Sequence, residues 1–348
     1  NAEVLFSQYE KFNISATGGY KTSEKGAVIG SLIYDRANDV GYPALTMDVS
    51  LARAVIGSLA YEHKELTDDI SRWESKLYLN SIKHVMDDTN RPDVPIHMDM
   101  PGWSDTYGFY SKMNIQKEKH QLLVNFNGYY NKSLAEMTMY PEDPDENLMF
   151  MLTWPDVMRN TGGIGVKDNW KLNTRFSLVS SIRLDVFCSN ITTDFGKQHL
   201  EIFGYDVEEG ILEPIFSWKE NLTYQLNSNT QLFTNLAYAE RSPDVSELYG
   251  FFLFNAHDGY DYIGNPELKK EQAWQAELGI SQSFEKINWS FRGYFHHVNN
   301  YIIGRTDSII DAMTIGANGV RVYTNLPHAQ LMGFESNINC SISREWLI

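Results

Sequence analysis

Apolar and polar side chains alternate along much of the chain, which is the period of half-exposed β-strands. The segment QLLVNFNGYYNKS places Leu122, Val124 and Phe126 on one face and Asn125 and Asn127 on the other. Three further segments alternate in the same way: 231–239, 274–284 and 288–298. These runs are longer than the usual sandwich strand of about 5–6 residues and are rich in aromatic residues. The pattern predicts an all-β fold, an antiparallel transmembrane β-barrel whose strands carry an apolar lipid-facing row and a polar lumen row.

The connections between these segments are of two kinds. Short turns are predicted at 227–230 and 284–288, and long, polar, acidic loops at 86–105, 140–147 and 249–271. Short turns on one rim and long loops on the other are typical of an outer-membrane barrel. No segment has a helical period strong enough to predict a helix. A soluble all-β protein is the alternative that this pattern leaves open.

Charge and hydropathy narrow the function. The chain has 29 basic and 45 acidic residues and a formal net charge of −16. This balance argues against a nucleic-acid partner, because phosphate binding needs local positive charge, and it favours attraction of cations. No apolar run approaches the roughly 18 residues of a membrane helix. No hydrolase or zinc-protease motif is present, so we expect no enzymatic activity.

Two motifs late in the chain carry a family resemblance. The strand-like TQLFTNLAYA is followed by ERSPDVSELYG at 240–250 and then by GNPELKKEQAWQAELGI at 264–280. In this order and spacing they resemble the late-barrel signature of TonB-dependent outer-membrane receptors. The matching residues are Arg241, Pro243, Glu247, Leu248, Tyr249, Asn265, Pro266, Leu268 and Glu271.

The resemblance implies a barrel of roughly 22 strands around a plugged lumen. Only about 13 to 15 strand candidates are present, and neither a plug domain nor an energy-coupling box is found. We therefore expect residues 1–348 to be one barrel segment, incomplete at both ends. Arg241 and its neighbouring carboxylates are expected to pair in a wet lumen at low desolvation cost, or else to form a rim ion pair without a role. Pro243 is expected to end its strand, because proline offers no ladder donor.

Methionine is unusually clustered. Nine of the 12 methionines lie between Met86 and Met158, and three pairs read Met-x-Met. In an extended chain each pair places both thioethers on one face. His97 adjoins the first pair, and thioether with imidazole is a soft ligand set that suits copper, especially Cu(I). Methionine that merely fills irregular packing is the alternative.

A second resemblance bears on the ligand. The segments at 39–48, 83–92 and 97–109 are similar to the copper-receptor branch of the TonB-dependent family, in which barrel Met and His residues are implicated in copper binding. The resemblance implies a copper site among five residues: His97, Met98, Met100, Met137 and Met139. The competing ligand is an iron chelate or another organic molecule, bound by loop aromatics such as Phe251, Phe252, Phe254, Tyr260 and Tyr262.

Together these features predict a receptor in the bacterial outer membrane, surrounded by its lipid. It would bind a scarce small ligand or metal at extracellular loops and import it, driven by the TonB energy-coupling complex acting through a plug. Copper would be cargo, and no resident cofactor is expected. A passive porin or structural barrel, and a soluble sugar-binding protein, are the rivals from other classes.

Overall fold

The computed structural model describes residues 4–92, 94, 96–141, 143 and 145–340, so the ends of the predicted segment, 1–3 and 341–348, lie outside the described residues. Fifteen strands and two short helices make up the described part. The early strands are β1 (Glu10–Lys21), β2 (Gly26–Val40), β3 (Asp48–Lys64), β4 (Ile70–Asp87), β5 (His97–Lys117), β6 (His120–Tyr140), β7 (Met149–Lys171) and β8 (Phe176–Ile191). After them come α1 (Asp194–Glu201), β9 (Ile211–Asn227), β10 (Thr230–Arg241), α2 (Val245–Tyr249), β11 (Leu253–Asn255), β12 (Tyr260–Ile263), β13 (Glu271–Ser283), β14 (Ile287–Asp307) and β15 (Val320–Cys340).

All the strands belong to one sheet, in which β1 to β10 are consecutive neighbours and β13, β14 and β15 follow. Their pairing is antiparallel, as predicted. One pair departs from the prediction, because β12 runs parallel to the start of β15, with Asp261 opposite Val320. β12 lies in the connection between β10 and β13 and is too short to form part of the wall.

The sheet has two chemically different faces. On the apolar face, Phe109 and Phe126 pack with ring centroids 5.3 Å apart, and Leu278 is 70% exposed. On the polar face, Arg183 donates to Asn127 at 2.8 Å. This alternation was predicted, and it places large apolar side chains outward rather than in a core between two sheets.

Aromatic side chains on the apolar face lie at two levels. Near the short turns, the rings of Tyr61 and Trp73 are 5.6 Å apart. Towards the other ends of the strands, Tyr238 packs on Trp274 at 4.7 Å and the Lys83 ammonium lies 5.3 Å from the Trp103 ring. Two aromatic belts flanking an apolar band are the arrangement of a membrane barrel wall.

The connections alternate between two rims, as predicted. The short-turn rim carries 22–25, 65–69, 118–119, 172–175, 228–229 and 284–286. The long-loop rim carries 41–47, the described residues of 88–96 and of 141–148, and 192–210, 242–270 and 308–319. The buried side chains concentrate at the long-loop rim, so this is where the sheet can form an enclosed site.

Two of the predicted loops contain regular structure. The predicted loop at 86–105 is wrong over its second half, since β5 begins at His97. The predicted loop at 249–271 contains β11 and β12. Strands of 21 residues, such as β5, exceed the roughly 9–11 residues that cross a bilayer. Their outer portions therefore have the polar, proline-containing composition of a loop while keeping the ladder.

The prediction that the chain contains no helix is wrong, because the structure has two short helices, α1 and α2. The Thr193 hydroxyl caps α1 by accepting from Gly196 N at 3.2 Å. α2 carries a capping box, in which Asp244 accepts from Glu247 N and Glu247 accepts from Asp244 N, both at 2.8 Å. Neither helix of the described part is long and apolar enough to cross a membrane. Helices of eight and five residues are too short to produce a detectable helical period.

Candidate functional site

Most of the predicted metal and aromatic residues come together at the long-loop rim in a group that we name the Met–Phe cluster. It consists of Met98, Met100, Met137, Met139, Met151, Phe251, Phe252, Ile263, Met313 and Val320. The methionines from β5, β6 and β7 lie at the outer ends of neighbouring wall strands. The connections 242–270 and 308–319 supply Phe251, Phe252, Ile263 and Met313, and Val320 begins β15. The cluster is therefore enclosed between the wall and two long loops.

Strand register brings the separate Met-x-Met pairs together. Met98 lies opposite Met139 across β5 and β6, and Met137 lies opposite Met151 across β6 and β7. Directly opposite residues share a face, with Cβ atoms about 4.5–5.5 Å apart. Met137, Met139 and Met151 are only 2%, 6% and 3% exposed. The result is a buried patch of thioethers from three neighbouring strands.

Phe251 and Phe252 pack on these methionines and on each other, with ring centroids 4.9 Å apart and nearly perpendicular planes. Phe203, which follows α1, packs on both rings at 5.8 and 6.1 Å. Two residues predicted to bind an organic ligand thus lie in the same cluster as the predicted metal ligands. Both phenylalanines are 7% exposed and exclude water from the thioethers.

His97 is not brought to the cluster. It precedes Met98 in β5 and so points to the opposite face, where its Nδ1 lies 2.9 Å from Asp88 Oδ1 and its side chain is 48% exposed. The buried Asp88 carboxylate also accepts from Met98 N at 3.0 Å. Among the described residues, no group of three or more His, Cys, Asp or Glu side chains is arranged to hold a metal ion.

Tyr260 and Tyr262 lie on the other face of β12 from the cluster. The Tyr262 hydroxyl donates to Asp258 Oδ2 at 2.6 Å, and Arg321 pairs with the same carboxylate at 2.9 Å. The Arg321 guanidinium lies 4.2 Å from the centre of the Tyr260 ring. Burial and the Asp258 carboxylate raise the pKa of Tyr262. The predicted aromatic residues therefore divide between an apolar cluster and a charged, half-exposed one, while Phe254 is 45% exposed.

The family-signature residues form a clamp at the start of the connection 242–270. Arg241 donates to both carboxylate oxygens of Glu247, at 2.7 and 3.0 Å, and through Nε to Glu271 at 2.8 Å. Glu271 also accepts from Ile302 N at 2.8 Å. Pro243 is buried directly after β10, which ends at Arg241. The guanidinium thus ties α2 to the wall strands β10 and β13.

The remaining signature residues fasten the same connection further along. Asn265 donates from its main-chain N to Glu247 O at 2.8 Å and from its side chain to Tyr323 O at 3.1 Å, and the half-buried Pro266 follows it. The Tyr249 hydroxyl donates to Ser189 O at 3.3 Å, and burial raises its pKa to about 12. These contacts hold in place the loop that carries Phe251 and Phe252.

The structure adds His199, which the sequence did not single out. Its Nε2 accepts from Leu152 N at 3.0 Å, so Nδ1 carries the proton and donates to Phe195 O at 2.7 Å. The ring meets Phe251 edge to face at 4.7 Å. Burial lowers the pKa of His199. A single histidine in a short helix has no sequence signal that would predict this contact.

A cavity of about 480 Å³ lies on the polar face of the sheet, lined by residues outside the Met–Phe cluster. Gly102 in its lining follows Met100 on the same face of β5, one step closer to the short-turn rim. His84, Asn131, Trp154 and Arg159 also line it. The polar face thus offers a space next to the thioethers, on the side of the short turns.

Known proteins with a similar sequence pattern or structure have the same barrel architecture. A family model described as TonB dependent receptor-like, beta-barrel matches residues 5–347. The copper transporter OprC superposes with a TM-score of 0.80 at 19% sequence identity, over 98% of this chain and 51% of that chain. The hemophore receptor HasR of Serratia marcescens, solved with its hemophore HasA and heme, gives 0.70 at 14% identity, over 95% and 52%. The FrpB iron transporter from Neisseria meningitidis gives 0.63 at 13% identity, over 98% and 52%.

At these identities the structural likeness shows the fold, and the chain spans about half the length of these solved chains. No curated protein matches the sequence. The wall strands, the two faces and the two rims have the form of a membrane barrel, and the family model matches nearly the whole chain. The chain therefore belongs to the TonB-dependent receptor family and forms part of its antiparallel transmembrane β-barrel.

Proposed function

We propose that this chain is the barrel wall of a bacterial outer-membrane receptor that takes up copper, with the Met–Phe cluster as its binding site. The observation that carries the proposal is the convergence of the buried Met137, Met139 and Met151 with the half-buried Met98 in one patch at the long-loop rim. Similarity to the copper transporter OprC supports the same ligand.

The ligand chemistry favours Cu(I) over harder ions. Thioethers are soft, neutral donors that bind Cu(I) well, whereas Mg²⁺ and Ca²⁺ require oxygen ligands. The packed rings of Phe251 and Phe252 keep water from competing for the metal. The net charge of −16 draws cations towards the receptor before they reach the site.

Release would proceed along the polar face. The cavity beside Gly102 lies on the short-turn side of the thioethers, and the TonB complex, acting through a plug, would open the way to the periplasm. The wall described here would then be completed by further strands and the plug of the same receptor. The protein's role is binding and gating, without covalent chemistry.

A ferric or other anionic chelate is the second candidate. Arg321, Tyr260 and Tyr262 present a cation and two phenol rings on the half-exposed side of β12. A hemophore receptor in complex with its hemophore and heme, and an iron transporter, are among the similar structures. This arrangement suits an organic anion rather than a bare metal ion.

The copper proposal predicts the effect of removing two thioethers. In the receptor purified from outer membranes, the double change Met98→Ala with Met100→Ala should weaken Cu(I) binding by on the order of tenfold or more, since two donors are lost. The affinity is measured by competition with a coloured Cu(I) chelator. The matched control is Met332→Ala, because Met332 is 69% exposed, lies on β15 opposite Phe295 and is outside the cluster.

Folding is checked by the shift in gel mobility between unheated and boiled samples, which should be the same for all variants. An unchanged Cu(I) affinity in the folded double variant would remove the cluster as the copper site. Tight binding of a ferric chelate that is lost in Arg321→Ala would favour the second candidate.

A further inference from the structure

A carboxylate lies buried beside the Met–Phe cluster. Asp261 in β12 is 0% exposed, and its Oδ2 accepts from Met313 N and Thr314 N, both at 2.9 Å. Its Oδ1 has no hydrogen-bond partner among the side chains and main chain that the structure describes. One oxygen is therefore held by the main chain while the other is left without a donor.

The side of β12 that carries Asp261 is the side that packs on the cluster. Asp261 and Ile263 alternate with Tyr260 and Tyr262, and Ile263 is a fully buried member of the cluster. The residue opposite Asp261 in the ladder, Val320, is another buried member. Met313, whose main chain donates to the carboxylate, packs against the same group.

A buried carboxylate oxygen without a donor is costly, so it needs a proton, a water molecule or a cation. The nearby cation Arg321 does not serve it, because Arg321 pairs with Asp258 and Tyr262 on the other face of β12. Thioethers bind a soft metal ion, but because they are neutral they leave the charge of the ion uncompensated in an apolar site. The carboxylate could supply the missing negative charge.

We propose that Asp261 Oδ1 is the anionic ligand of a site for a soft univalent metal cation, whose other donors are thioethers of the Met–Phe cluster. One carboxylate neutralises one positive charge, so the filled site is uncharged, which lowers the cost of burying the ion. This inference rests on the proposed function, because it takes the same thioethers as metal donors. It adds a residue that the Met-x-Met pattern does not contain and a charge that selects univalent ions.

The test compares two aspartates of one loop in the receptor purified from outer membranes. Asp261→Asn keeps the shape and removes the charge, and it should weaken Cu(I) binding by on the order of 10- to 100-fold. Asp258→Asn is the matched control, because the Asp258 carboxylate faces away from the cluster. The Cu(I) affinity of this variant should stay within about twofold of wild type. Both affinities are measured by chelator competition.

The outcomes separate this inference from the proposed function. Loss of binding in the Met98/Met100 double variant with unchanged binding in Asp261→Asn would keep the copper site and overturn the role of Asp261. Unchanged binding in both variants would overturn both proposals. Equal losses in Asp261→Asn and Asp258→Asn would also overturn the inference, since general loop charge would then explain the effect.

A second measurement does not depend on any variant folding. X-ray absorption at the copper edge of the wild-type receptor loaded with Cu(I) should show an oxygen neighbour in addition to sulfur neighbours. A first shell made only of sulfur would overturn the assignment of Asp261 as a ligand, whatever the variants do.

Discussion

At the scale of single residues, His199 makes a contact that depends on pH. Its neutral ring accepts from Leu152 N, and protonation of Nε2 would abolish that hydrogen bond. Because burial lowers the folded-state pKa, the contact contributes its full stability above the unfolded value of about 6.5. That stability is lost as the pH falls from about 6.5 through the lowered folded pKa, since the opened state then binds a proton that the closed state does not.

We therefore predict that α1 detaches more readily from β7 in mild acid. The protection factor of the Leu152 amide against hydrogen exchange, corrected for intrinsic rates, should fall by up to about tenfold per pH unit below 6.5. His199→Gln supplies the control. Because glutamine does not titrate, the protection factor of the Leu152 amide in this variant should not vary with pH. Equal pH dependence in both proteins would show that another group is responsible.

The sequence predicted the positions of some site residues, such as the methionines, and missed those of others. Strand alternation, which is visible in the sequence, fixes the face that each Met-x-Met pair occupies, but the register that brings the pairs together across strands is not visible there. The same alternation places His97 on the opposite face from Met98, so the fact that His97 adjoins Met98 in the sequence did not bring it into the cluster. Asp261 and His199 carry no motif, and their burial arises from loops that fold onto distant strands.

At the scale of elements, α2 depends on its capping box. Asp244 accepts from Glu247 N, and Glu247 in turn binds both Asp244 N and Arg241. Asp244→Ala should destabilise this helix locally by about 1 kcal/mol, the usual cost of losing an N-cap. Hydrogen exchange of the amides at 245–250 should accelerate, by roughly fivefold for that free energy.

Asp244→Asn is the control for this prediction, because asparagine caps helices about as well as aspartate and should leave the exchange rates near those of wild type. Faster exchange in Asp244→Asn alone, or no change in Asp244→Ala, would show that the cap does not hold the helix. The Glu247 clamp would then be its main support.

Elements were predictable where one local rule decides them. Alternation identified the wall strands, and Pro243 correctly indicated the end of β10. The sequence predicts a loop at the outer end of β5, because acids and Pro101 dominate a strand portion that extends past the bilayer. The Asp-x-x-Glu spacing at 244–247 is a capping signal, but it lies within a strand-end motif that by itself predicts no helix.

At the scale of the whole molecule, the proposed binding site and its release route depend on which face of the sheet contacts lipid and which lines the barrel interior. The Met–Phe cluster is a receptor site only if the apolar face contacts lipid and the polar face lines the barrel interior. The fold could be predicted from the sequence, because a two-residue period and the two rim types are repeated along the chain, whereas the family was indicated by the resemblance of the motifs at 240–250 and 264–280. The parallel pairing of β12 with β15 could not be predicted, because it depends on how a long loop folds back on the wall.

The most direct test is the oxygen accessibility of spin labels placed singly along β13, from 275 to 280, in a background lacking Cys188 and Cys340, with the receptor in lipid bilayers. In this strand, Ala276, Leu278 and Ile280 lie on the apolar face, and Gln275, Glu277 and Gly279 on the polar face. The account predicts accessibility maxima at 276, 278 and 280 and minima at the odd positions, because oxygen concentrates in hydrocarbon. Maxima at the odd positions, or no alternation, would contradict it.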